Sequence, residues 1–200
     1  MISGIILASG FSKRMGYEKL LIKIENIPII ERVIKAALSS LLDEIILVYQ
    51  NDILKKLSNK YNIISVYNEK AFEGISASVK KGIEKADDKT DGFLFIMGDM
   101  PFLDFYIIDD ILNSHIQYPY DIIVPLYNKK RGNPVLFPSI FKENLLKIKG
   151  DTGGLSVILE NKDKVRYIGF NNENIGFDID TNENLEKANK IIDIIGNKFL

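Results

Sequence analysis

Short β-branched runs alternate along this chain with longer segments of helical period, and that alternation constrains the fold more than any other feature. Strand, crossover helix, strand is the pattern of a mostly parallel sheet covered on both faces. Strands are expected over 2–8, 44–49, 63–67, 92–97, 121–126, 133–137 and 165–169. Pro28 is placed to open a helix reaching about Leu41, with Ile29, Ile30, Val33, Ile34, Ala37 and Leu38 on its core face. Further helices are expected over 52–59, 74–87, 104–117, 138–147, 152–160 and 182–196, separated by Gly, Asn, Asp or Pro. The stretch 127–156 is less regular and reads as a small lobe beside the sheet.

Composition narrows the chemistry. The 200 residues suit one domain, and 26 Lys and Arg against 27 Asp and Glu leave a net charge of −1, so no global field argues for nucleic acid or an anionic membrane. There is no cysteine and a single histidine, His115, which removes disulfides, thiolate metal sites and multi-histidine metal sites. His115 ends an amphipathic segment and reads as an ordinary surface or helix-end residue. Carboxylate, lysine, arginine, hydroxyl and backbone amide remain, the set that handles hard cations such as magnesium and the phosphates they carry. The opening residues read as a strand, not a signal peptide, and no apolar run approaches the roughly 18 residues of a membrane span. A cytoplasmic protein is expected.

Three stretches concentrate chemistry. LASGFSKRMGYEK, Leu7 to Lys19, leaves the first strand into a loop with two glycines and three basic residues. In a parallel sheet that position borders the ligand crevice, and such a loop can turn its N–H groups inward on an anion. It matches neither GxxxxGK[ST] nor GxGxxG, and a plain solvated turn is the alternative. The run 93–97 empties into Gly98-Asp99-Met100-Pro101-Phe102, so Asp99 emerges at the same sheet edge, as a magnesium ligand or as a cap for the next helix. Asp178 and Asp180 share one side of an extended segment just before the last helix, where one is placed to ligate metal and the other to cap.

The ordered series LASGFSKRMGYEK, NEKAFEGISASVKKG, GDMPF, RGNPVLF, GDTGG and DIDTNENL resembles the nucleotidyltransferases of molybdenum cofactor biosynthesis, the cytidylyltransferases more than the guanylyltransferases. The resemblance covers almost the whole chain. It implies a Rossmann-like three-layer α/β/α nucleotidyltransferase fold, a single domain over 1–200 with a nucleotide-binding half to about residue 110 and an acceptor-binding half beyond. It also implies Mg²⁺, a nucleoside triphosphate with CTP favoured, a molybdopterin-type phosphate acceptor, and a molybdenum enzyme as recipient.

By matched position, the resemblance puts Leu7, Ala8, Ser9 and Gly10 beside the base and Ser12, Arg14 and Lys19 along the triphosphate. Asn68 and Ser78 fall near base and ribose, although Asn68 could equally end a strand and Ser78 face a helix neighbour. Asp99 and Asp180 become the metal ligands, and Arg14, Lys19 and Asp99 the catalytic set. The acceptor site is implied at Arg131, Gly132, Asn133 and Asp151. Two departures stand out: Ser9 replaces a small apolar residue or glycine beside the base, and Gly154-Leu155 replaces Ala-Arg, leaving Arg131 or Lys130 as the cation for the acceptor phosphate. Guanylyl transfer, a sugar- or polyol-phosphate acceptor, and a non-catalytic nucleotide-binding accessory are the alternatives.

Overall fold

A computed structural model describes residues 1–10, 19–171, 174, 176, 177, 179, 183–188 and 191. Ser12, Arg14 and Asp180, and with them Tyr17 and Asp178, lie outside the described residues. Strand β1 (Ile2–Ala8) is followed by a short ribbon, β2 (Lys23–Ile24) and β3 (Ile27–Pro28), and then by α1 (Ile29–Leu38), β4 (Glu44–Tyr49), α2 (Asp52–Lys60) and β5 (Ile64–Tyr67). Next come α3 (Ile75–Lys85), β6 (Gly92–Met97), α4 (Phe105–Gln117), β7 (Ile122–Tyr127), β8 (Lys130–Arg131) and β9 (Val135–Pro138). Helices α5 (Lys142–Lys147) and α6 (Leu155–Glu160) and strand β10 (Val165–Phe170) follow, with further helical residues at 183–188.

The main sheet runs β10-β7-β9-β6-β1-β4-β5. β1 pairs in parallel with both β4 and β6, and β5 and β10 are also parallel to their neighbours. Among the described residues only β9, antiparallel to β6 and β7, and the short β8 run the other way. The mostly parallel three-layer α/β/α architecture is therefore the one expected. The 127–156 stretch corrects the idea of a lobe, since its strand β9 inserts into the middle of the sheet. Phe137 and Leu136 are both buried, one toward each face, so this strand has too little polar surface to stand outside the sheet.

Pleating divides the core cleanly. Ile6 and Ala8 of β1, with Leu47, Leu94 and Ile96, pack under α1 and α4, while Ile5 and Leu7, with Ile46, Val48, Phe93 and Phe95, pack under α3, α5 and α6. Each fully buried Ile or Leu contributes about 1.5–3 kcal/mol by leaving water. The α1 face is as read except Leu38, which is 44% exposed, because the helix ends there and does not reach residue 41. Pro28 is the residue before the helix rather than its first. The β2–β3 ribbon adds a hairpin beyond the expected strands; its turn places Glu25 and Asn26 at positive φ, and Asn between Ile24 and Ile27 is the local signal for such a hairpin.

Candidate active site

All parallel strands deliver their C-terminal ends to one edge, where ligands bind in open α/β sheets. Backbone bonds hold that edge together: Gly98 N donates to Leu7 O at 3.1 Å and Asn68 N to Tyr49 O at 2.7 Å. Gln50 Nε2 reaches the carbonyl of Gly10 at 3.2 Å. Leu7 and Ala8 of β1, with Ser9 and Gly10 just after it, thus sit beside the ends of β4, β5 and β6.

Asp99 follows β6 and is 8% exposed. Its Oδ2 accepts from Lys19 Nζ at 2.6 Å, while its Oδ1 is buried and has no hydrogen-bond partner among the described residues. An orphaned carboxylate oxygen in a buried position carries a desolvation cost that a cation would offset. The capping alternative for Asp99 goes instead to Asp104, whose Oδ1 accepts from Phe105 N at 2.7 Å at the start of α4. Among the described residues no cluster of three or more His, Cys, Asp or Glu side chains suits a metal. The donor set at Asp99 nevertheless fits a hard divalent ion, which needs one or two carboxylates and takes its other ligands from water and phosphate.

A small apolar cluster gathers the segments around Asp99. Ile24 and Ile29 pack with Ile179 and Ala188, with Phe102 and Phe177 against them. Ile179 N donates to the Asp99 carbonyl at 3.3 Å, so the residue that precedes Asp180 in sequence lies against the Asp99 loop. Arg32 of α1, which drew no attention as a sequence position, clasps two of these segments: its Nε donates to Pro101 O at 3.1 Å and its Nη1 to Ile24 O at 3.2 Å. No motif marks Arg32, because these two partners are backbone carbonyls, which any residue supplies; its third is the exposed Glu25 carboxylate at 3.4 Å.

Ser9, Asn68 and Ser78 meet. Ser9 Oγ and Ser78 Oγ are 2.6 Å apart, and Asn68 Nδ2 donates to them at 3.0 and 3.2 Å. Asn68 does follow β5, whereas Ser78 of α3 meets Ser9 and Asn68, neither of them in a helix, rather than a helix neighbour.

Arg131, Gly132, Asn133 and Asp151 all line one cavity of about 320 Å³, with Thr152, Gly153 and Gly154 beside them. Its walls are mostly apolar and come from both halves of the chain: Leu7, Val79 and Phe95 from the first, Val124, Phe137 and Leu155 from the second. Tyr127 OH donates to the Asn133 carbonyl at 2.7 Å, beside the cis Asn133–Pro134 bond. Asp151 Oδ1 accepts from Ile75 N at 3.2 Å, tying the GDTGG segment to the start of α3.

His115 stands apart from all of this. It is 7% exposed rather than a surface residue, it lies in the last turn of α4, and its electrostatic neighbours are Asp91 and the amine of Met1 at the opposite edge of the sheet. Tyr127 is core, Tyr118 lies under the Arg166 guanidinium at 3.9 Å, and Tyr120 is exposed.

A three-layer α/β sheet with a lysine–carboxylate pair and an adjoining cavity at the strand C-termini defines a nucleotide-transferase type of architecture. The model of the MobA-like NTP transferase domain matches residues 4–165, and the chain belongs to that family. It is 33% identical over 138 residues to the molybdenum cofactor cytidylyltransferase of Escherichia coli, covering 68% of this chain and 69% of that protein. It is 30% identical over 128 residues to the probable molybdenum cofactor guanylyltransferase of Natranaerobius thermophilus, where the match covers 62% of this chain and spans only 60% of that protein's length. In fold it is similar to the crystal structure of Rv0371c from Mycobacterium tuberculosis, with a TM-score of 0.81 and 20% identity over 94% of this chain and 97% of that one. No helix among the described residues is long and apolar enough to cross a membrane.

Proposed function

We propose that this protein is a divalent-metal-dependent nucleotidyltransferase that moves CMP from CTP to the phosphate of a molybdopterin-type acceptor. An acceptor phosphate oxygen attacks the α-phosphorus of the triphosphate, the bond from that phosphorus to the bridging oxygen of the β-phosphate breaks, and pyrophosphate leaves. The observation that carries this reading is the Lys19–Asp99 pair with its orphaned Asp99 Oδ1 at the C-terminal edge of β1 and β6.

Phosphate transfers depend on in-line positioning and charge neutralisation more than on covalent help. Asp99 and Asp180 would hold Mg²⁺, which when bound neutralises phosphate oxygens and draws charge toward the leaving pyrophosphate. Lys19 offsets charge building on the α-phosphate, and Arg14 and Ser12 hold the phosphates that depart. Leu7, Ala8, Ser9, Gly10, Asn68 and Ser78 form the base and ribose side. Arg131, Gly132, Asn133 and Asp151 receive the acceptor, with Arg131 supplying the cation that Leu155 does not. The attacking oxygen is ionised at neutral pH, so no histidine base is needed. In this reading residues to about 110 bind nucleotide, the rest completes the acceptor site, and a molybdenum enzyme in the cytoplasm receives the product.

CTP is taken over GTP on the family resemblance, and the guanylyltransferase relative supports guanylyl transfer as the second reading. The motifs RGNPVLF and GDTGG favour a molybdopterin-type acceptor over a sugar or polyol phosphate. The reading is tested by thermal shift with CTP, GTP, ATP and UTP in Mg²⁺, followed by pyrophosphate release with molybdopterin. At about 100 times Kd a nucleotide adds roughly 2.7 kcal/mol, about 5–11 °C for a chain this long. A shift with CTP and metal-dependent pyrophosphate release are expected. A shift with GTP alone moves the assignment to guanylyl transfer, and binding without turnover on any acceptor favours the accessory protein.

A further inference from the structure

The buried group of Ser9, Asn68 and Ser78 has a hydrogen count that assigns a different job to each member. Asn68 and Ser9 are each 1% exposed and Ser78 is 5% exposed. Asn68 Oδ1 accepts from Lys70 N at 3.1 Å, and since a backbone N–H can only donate, the amide orientation is set: Nδ2 faces the two serines. Nδ2 donates to both, at 3.0 Å to Ser9 Oγ and 3.2 Å to Ser78 Oγ.

The two hydroxyls lie 2.6 Å apart, so one O–H hydrogen bridges them. The other has no acceptor among the described residues. Ser78 is the more exposed of the two and sits in the first turn of α3, facing the nucleotide edge. If Ser9 donates the bridge, both lone pairs of Ser78 Oγ are filled, one by Ser9 and one by Asn68, and Ser78 retains only its hydrogen.

We infer that the side chains of Asn68 and Ser9 are positioning groups, and that through them Ser78 is held as a hydrogen-bond donor aimed at an acceptor atom of the base or ribose. This rests on the nucleotide site proposed above. It also gives Ser9, the position where this chain departs from the family pattern, a use: a glycine or alanine there would leave Ser78 a free lone pair and so let it accept from a ligand donor as well. Donation along the chain Asn68 to Ser9 to Ser78 further polarises the terminal O–H.

A mutant cycle on the full chain tests this, with CTP and GTP affinity read by titration calorimetry in Mg²⁺ and folding checked by circular dichroism. Ser78→Ala is expected to weaken nucleotide binding about tenfold, as for one lost donor. Asn68→Ala and Ser9→Ala should each weaken it about threefold or more when Ser78 is present, and less than twofold in the Ser78→Ala background. In turnover they should raise KM for nucleotide and leave kcat within about twofold. An equal loss from Asn68→Ala with and without Ser78 overturns the inference, because Asn68 would then contact the ligand itself. Should Asn68→Ala fail to fold, the Ser9 arm decides the same question. If Ser78→Ala is silent while Lys19→Ala weakens nucleotide binding or turnover, the inference alone falls. If both are silent, the nucleotide site falls with it.

Discussion

Lys19 Nζ lies 2.6 Å from Asp99 Oδ2, joining two residues 80 positions apart at the rim of the sheet. Both side chains are largely shielded, at 17% and 11% exposure. The pair keeps a cation and an anion together where phosphate and metal are expected, and it consumes only one of the two carboxylate oxygens.

Asp99→Asn keeps the shape of the side chain and removes its charge. Metal-dependent turnover should fall by at least about 100-fold with the fold retained, as checked by pyrophosphate release across a Mg²⁺ series. Lys19→Ala should lower kcat by about 10²–10³ and change nucleotide KM far less, because its charge is needed most as the α-phosphate is attacked. A loss confined to KM would contradict that role.

Arg131 is the cation that borders the apolar cavity. Arg131→Ala is expected to raise the acceptor KM about 10-fold or more and to leave nucleotide KM within twofold, since a charge-assisted bond contributes about 1.5–3 kcal/mol. Steady-state kinetics with each substrate varied in turn distinguishes the two.

Gly74 joins the Asn68 segment to α3 at φ +95°, and a Cβ there would meet the Asp151 carboxylate and stand 2.8 Å from the Gly150 carbonyl carbon. The Asp151 carboxylate is a side chain and can shift, but the Gly150 backbone cannot give way cheaply. Gly74→Ala should destabilise the protein by about 1–3 kcal/mol, seen in urea melts, and weaken acceptor use, because Asp151 and Ile75 border the same cavity.

Burial pushes the His115 imidazole below its ordinary value of about 6.5, with Asp91 pulling upward and the Met1 amine downward. Below that value the unfolded chain takes up a proton that the native protein resists, so stability is full above about pH 6.5 and falls as the pH drops through the window beneath it. His115→Gln should flatten this part of the Tm-against-pH curve. Turnover at pH 7 should be unchanged, since His115 lies at the opposite edge from Asp99. An unchanged curve would show that His115 does not govern this step.

Much of this protein is written in its local pattern. Near-continuous apolar runs such as 2–8 and 92–97 are legible because a strand buried on both faces admits little else, and their boundaries match the structure. The position of Asp99 is legible for a similar reason, since a charge just past the end of such a strand stands out, whereas Lys19, well beyond β1, is marked only by the family resemblance. Arg32 is not legible, because it binds backbone carbonyls of Pro101 and Ile24, and backbone leaves no mark in a sequence. Nor is the place of β9 within the sheet, where a four-residue strand is specified only by the partners β6 and β7. The sequence by itself determined the alternating α/β class and the residue types that follow β1 and β6, where chemistry is proposed. Tertiary structure alone decided that Asn68, Ser9 and Ser78 share their hydrogens, that Asp99 keeps one oxygen unpartnered, and that His115 is buried. Those are distances between segments far apart in the chain, and local propensity carries no information about them.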